Sequence, residues 1–80
     1  MKTLSERIRE ARTQLHLSQD YVASYLGIRR SAIAEIEANK RKVSAEELGK
    51  LGELFLIPAD ELLHGTRTSQ PAQVFARSFE

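Results

Sequence analysis

LSQDYVASYLGIRRSAIAEIEANKRK, residues 17–42, reads as a helix, a tight turn, a second helix and a basic exit. Gly27 stands between Leu26 and Ile28, where a residue without a Cβ lets the chain turn sharply between two helical patterns. Before it, Val22, Ala23 and Leu26 share one side of a helix; after it, Ile33, Ile36 and Glu37 recur at the spacing of a buried stripe. The later helix therefore has a second, outward face. Arg30, Ser31, Ala34 and Glu35 fall on it as a polar strip whose hydrogen-bonding groups suit the edges of bases, and Arg29 adds a cation at its start.

Gln19, Val22, Ala23, Leu26, Gly27, Ile28, Ser31, Ile33, Ile36 and Glu37, taken together, resemble the phage-repressor and Cro-like (Xre-type) helix-turn-helix family, and the likeness runs over roughly residues 4–65. It implies an all-α fold, a compact five-helix bundle of the lambda-repressor-like type whose second and third helices form the DNA-reading motif. It also implies roles. The family's glutamine at Gln19 contacts a phosphate, and the loop Lys40-Arg41-Lys42 lies along the sugar-phosphate backbone. The arginine matching Arg12 pairs with the glutamate matching Glu37, tying the first helix to the recognition helix; the alternative for Arg12 is an exposed arginine. Three positions depart from the pattern. His16 and Asn39 stand where relatives carry a helix-ending glycine, and Arg29 replaces the usual Ser or Thr cap of the recognition helix, which removes about 1 kcal/mol of cap energy while adding a cation.

The chain of 80 residues, 41% hydrophobic, has material for one small core and no room for a second domain. It has no cysteine, hence no disulfide and no thiolate metal site. The charged start MKTLSERIRE and the lack of any long apolar run argue against a leader and a membrane span, so a cytoplasmic protein is expected. The net charge of +1 hides an asymmetry: residues 29–42 carry five basic and two acidic side chains, residues 43–80 three basic and six acidic. Positive charge is concentrated where the motif would meet phosphate, although such a cluster can also be only a solvated face.

Thr3 with Glu6 makes a capping box for a first helix, with Leu4, Ile8, Ala11 and Leu15 inward and Arg7 and Arg9 solvated. Ser18 is a natural cap for the second. Tyr21 and Tyr25 fall beside the apolar stripe, reaching either phosphate or a partner, or packing partially with their hydroxyls in water. Ser44 with Glu47 opens a fourth helix, with Leu48, Leu51, Leu54 and Phe55 inward. Gly49 and Gly52 interrupt it. Read as GKLG they imitate the loop of a KH domain, but no strands flank them. Gly52 suits close helix contact; Gly49 has no such reason. Pro58 starts a short fifth helix stopped by Gly65. Residues 1–65 thus form the helix-turn-helix domain, and residues 66–80 a polar linker and a tail whose Phe75 and Phe79 begin an amphipathic helix too short to stand alone in water.

The expected function is that of a sequence-specific transcriptional regulator, a repressor binding a palindromic double-stranded DNA operator as a homodimer. Leu56, Leu63, Val74, Phe75 and Phe79 are the expected pairing surface. Two alternatives share the fold: an antitoxin-type autorepressor of a toxin- or protease-linked operon, with a cognate toxin or regulatory protein as partner, and an interaction module that does not bind DNA. An enzyme is not expected. His16, Ser18 and Asp20 mimic a triad in composition only, at spacings that cannot assemble one. His16 and His64 lack the company of a metal site, and no cofactor is implied.

Overall fold

Thr3 Oγ1 accepts the amide of Glu6, and the Glu6 carboxylate accepts the amide of Thr3 at 2.8 Å, so the first helix begins with a reciprocal cap that satisfies two otherwise orphaned donors. This computed structural model describes residues 2–65. They form α1 (Leu4–Gln14), α2 (Gln19–Leu26), α3 (Arg30–Glu37), α4 (Ala45–Phe55) and α5 (Ala59–His64), with no strand among the described residues. Ser18 caps α2, and Ser44 with Glu47 repeats the reciprocal cap on α4. The fold is the all-α, five-helix arrangement expected.

The first four helices end alike. His16, Gly27, Asn39 and Leu56 take left-handed backbone at φ 58°, 73°, 62° and 59°. The next amide reaches back to a carbonyl five residues earlier: Leu17 to Arg12, Ile28 to Ala23, Lys40 to Glu35 and Ile57 to Gly52. This is the Schellman motif, and only Gly27 fills its left-handed position with the residue that adopts it freely. Asn39 is the next most tolerant; His16 and Leu56 hold the conformation against steric cost.

The core is built from Ile8 and Ala11 of α1, Val22, Ala23 and Leu26 of α2, Ile33 and Ile36 of α3, Leu51 and Phe55 of α4, and Leu62 of α5. Leu4, Leu48 and Leu54 pack against it half-buried. Leu15, expected inward, is 48% exposed: α1 stops at Gln14, and the turn that follows carries Leu15 off the apolar stripe. Arg7, expected in solvent, is instead a clasp. Its Nε donates to the carbonyl of Leu62 at 2.7 Å, its Nη2 to Leu63 and its Nη1 to Lys2 at 2.6 Å, so a cation covers the open carbonyls at the end of α5. Pro58 stands at the N-cap position of α5 and makes no side-chain cap bond.

The two glycines of α4 have opposite surroundings. A Cβ on Gly52 would lie 2.7 Å from the backbone carbonyl oxygen of Ile57, whereas a Cβ on Gly49 would meet nothing within 4 Å. Gly49→Ala is expected to stabilise the domain by about 1 kcal/mol through helix propensity. Gly52→Ala is expected to destabilise it by roughly 1–3 kcal/mol, because the backbone of the α4–α5 turn must move. Urea denaturation of the two variants checks the pair; equal shifts of the same sign would contradict the close approach.

Candidate nucleic-acid interface

Ile33 and Ile36 are completely buried, and their anchoring turns the opposite face of α3 outward. Arg30, Ser31, Ala34 and Glu35 are all exposed on that face, with Arg29 exposed immediately before it. Arg29 occupies the cap position with extended backbone and makes no side-chain cap bond; its carbonyl accepts the Ala32 amide at 2.9 Å, and no side chain caps the first turn of α3. Beyond α3, Lys40 and Lys42 are exposed on the exit loop.

The attachment of α3 to the rest of the bundle is electrostatic as well as apolar. Arg12 donates from Nε to Glu37 Oε2 at 2.6 Å and from Nη2 to Oε1 at 3.1 Å, while its Nη1 donates to the carbonyl of Leu17 at 2.8 Å. The side chains are 14% and 5% exposed, so this is a bidentate pair largely removed from water. Gln19 Nε2 donates to Glu37 Oε1 at 3.2 Å, and Gln19 Oε1 accepts from Arg30 Nε at 3.4 Å. Both ends of the Gln19 amide are thereby engaged by protein groups. In the protein alone it joins the buried pair to the outward strip.

Arg41, expected on the phosphate backbone beside the lysines, is half-buried and held by Glu47, with Nη2 3.0 Å from Oε2 and Nη1 3.4 Å from Oε1. The same carboxylate accepts the Ser44 amide at 3.0 Å. That backbone bond and, after it, Arg41 hold the Glu47 carboxyl below its ordinary range, against the opposing effect of burial. Arg41 therefore braces the loop between α3 and α4. From the other side Ser5, the buried polar residue of α1, donates to Asn39 Oδ1 at 3.3 Å. Sequence reasoning found neither partner. The i, i+6 spacing of Arg41 and Glu47 is a faint signal, and nothing marks Ser5.

Tyr25 donates its hydroxyl to Glu53 of α4 at 3.0 Å, and that bond raises the phenol pKa. Tyr21 is 53% exposed on the same helix. His16 and His64 are exposed, and the described residues contain no group of three metal-ligating side chains. No helix among them is long and apolar enough to cross a membrane.

Residues 5–67 match the profile of a helix-turn-helix domain. Over 67 residues the chain is 37% identical to the HTH-type transcriptional regulator AnsR of Bacillus subtilis (strain 168), an overlap that covers 84% of this chain and 58% of AnsR. The chain therefore spans little more than half the length of that relative. The P22 c2 repressor solved with a synthetic operator superposes at a TM-score of 0.77 with 27% identity, over 82% of this chain and all of that one. The restriction-modification controller protein C.AhdI from Aeromonas hydrophila superposes at 0.69 with 35% identity, over 75% of this chain and 91% of that one.

The Arg12–Glu37 geometry has a distinctive energetic signature. Removing one partner leaves a buried, uncompensated charge, at a cost of about 3–5 kcal/mol, whereas replacing both with apolar residues of similar volume costs less. Arg12→Met, Glu37→Leu and the double variant, compared by chemical denaturation, are expected to show strong positive coupling. Small, additive effects would mean that the pair contributes no linkage.

Proposed function

The chain belongs to the helix-turn-helix domain family of Xre-type, repressor-like DNA-binding transcription regulators, and we propose that it acts in the cytoplasm as a repressor binding a near-palindromic operator as a homodimer. The observation that carries this reading is the exposed strip of α3, held in place by the buried Arg12–Glu37 pair and flanked by Lys40 and Lys42. Residues 1–65 form the DNA-binding unit and residues 66–80 the tail. Arg30 pairs with a guanine, Glu35 accepts from a cytosine amine, Ala34 lies against a thymine methyl, Ser31 adjusts to either neighbour, and Arg29 meets the duplex at the start of α3. Lys40 and Lys42 contact phosphates; Arg41 is secondary because Glu47 holds it. Likeness to the P22 c2 repressor, a protein solved on an operator, supports the repressor role.

Dimerisation follows from how little one module can grip. A single unit of this kind covers roughly 600–1,000 Å² on DNA, thin for specific binding in a genome, whereas a two-fold pair doubles the contacts. Leu56 is 88% exposed and Leu63 41% exposed, which supports an interface at the α4–α5 end. Val74, Phe75 and Phe79, assigned to the same surface, lie outside the described residues.

The expected outcomes separate general attraction from base reading. Binding weakens steeply with salt; Lys40→Ala lowers affinity on every sequence alike and reduces the salt slope by about one unit, while Arg30→Ala costs about 1–3 kcal/mol on the best site and relaxes preference at one position. Titrations on selected and random duplexes check both, and affinity indifferent to salt would sink the DNA reading. Selection from a random pool is expected to return a palindrome with half-sites about 34–36 Å apart. Sedimentation of the chain and of a truncation lacking residues 66–80 tests the pairing surface. A truncated chain that dimerises and binds equally well removes the tail from it.

A further inference from the structure

Arg30 has two oxygens of α2 behind it. Its Nε donates to Gln19 Oε1 at 3.4 Å and lies 3.9 Å from Asp20 Oδ1, while Nη1 and Nη2 make no hydrogen bond to the described residues. A guanidinium fixed by Nε presents those two nitrogens as a pair of parallel donors, the geometry that matches two acceptors on one base edge. Gln19 is itself fixed by the buried Glu37; Asp20 is different. It sits in the first turn of α2, where an acid suits the helix dipole, and its side chain, 76% exposed and outside the core, lies beside Arg30.

We infer that Asp20 is a positioning residue that sets base preference through Arg30. Its charge keeps the guanidinium turned toward α2 by Nε and competes with phosphate for the same cation. Arg30 therefore gains little from a non-specific backbone and is left aimed at a base. An exposed pair of this kind is a weak bond in water, which is what the role requires. A strong one would lock Arg30 away from DNA altogether. Asp20 also repels phosphate directly, which lowers affinity on every sequence without touching the preference for one.

This inference rests on the assignment of Arg30 to a base, and the test separates the two. Asp20→Asn keeps the side chain's shape and an oxygen acceptor and removes the charge that lies 3.9 Å from Arg30 Nε. The full chain and its Asp20→Asn, Asp20→Glu, Arg30→Ala and Asp20→Asn/Arg30→Ala variants are titrated at physiological salt, below their melting transitions. Each meets three duplexes: the selected site, that site changed at the base pair assigned to Arg30, and a random sequence. Asp20→Asn is expected to tighten binding to the random duplex about two- to fivefold and to shrink the ratio between selected and changed sites about threefold or more. Asp20→Glu is expected to retain the ratio. In the Arg30→Ala background, Asp20→Asn is expected to leave the ratio unchanged while keeping its gain on random DNA. If Arg30→Ala collapses the ratio and Asp20→Asn does not, or if Asp20→Asn lowers it equally without Arg30, the inference is overturned and the base assignment stands. If Arg30→Ala itself leaves the ratio intact, both fall together.

Discussion

A carboxylate that is only 5% exposed must find donors inside the protein, and Glu37 finds three: Nε and Nη2 of Arg12 and the amide of Gln19. These come from α1 and from the start of α2, so a single carboxylate at the end of α3 fixes that helix against both of its supports. The pair adds little net stability over an apolar replacement, because desolvation offsets most of the attraction. Its effect is geometric. Leucines and isoleucines would tolerate a small rotation of α3, whereas a bidentate fork with a third donor tolerates much less. Through Gln19 the constraint extends to Arg30, so a nearly buried carboxylate and an exposed guanidinium belong to one connected set.

Short helices make such constraints necessary. α2 and α3 have eight residues each, too few to persist in water alone, and their stability is that of the bundle around them. Their ends depend on turns in which His16, Asn39 and Leu56 hold left-handed backbone without being glycine. What compensates is specific in each case: Asn39 is met by Ser5, and the turn after Leu56 closes on Gly52, where a Cβ would crowd the Ile57 carbonyl. At His16 the turn lies between Arg12 and Leu17, whose carbonyl the Arg12 guanidinium also binds. At His16 and Asn39 the left-handed turns adjoin side-chain hydrogen bonds made from α1.

Much of this was readable from the chain alone because it is local. The capping boxes at Thr3 and Ser44, the turn at Gly27, the apolar stripes and the outward strip of α3 all depend on residues within a turn or two of one another. What could not be read depends on distant partners or on where a helix stops. Arg7 looks like any solvated arginine until α5, 55 residues away, brings its last carbonyls over α1. Leu15 continues the stripe of α1 in periodicity but falls one residue past the helix. Arg41 reads as one of three like cations until the capping glutamate of α4 is found to face it. The pairing of Arg12 with Glu37 came from family resemblance; no spacing rule connects residues 25 apart.

That last kind of information changes how the charge of the reading face is counted. Residues 29–42 contain five basic side chains, but Arg41 is paired with Glu47 and Arg30 lies beside Asp20. Arg29, Lys40 and Lys42 are left without an acidic partner among the described residues. Three unpaired cations give a weaker grip on an arbitrary duplex than five, since each phosphate neutralised adds to affinity regardless of sequence. For a regulator that must leave the many wrong sites in a genome, a weaker grip is useful, because specificity is the difference between right and wrong sites rather than the strength of either. A chain with a net charge of +1 is consistent with that design: the acids that lower its total lie partly against the basic residues of the interface, where they diminish general attraction while fixing the directions in which those residues point.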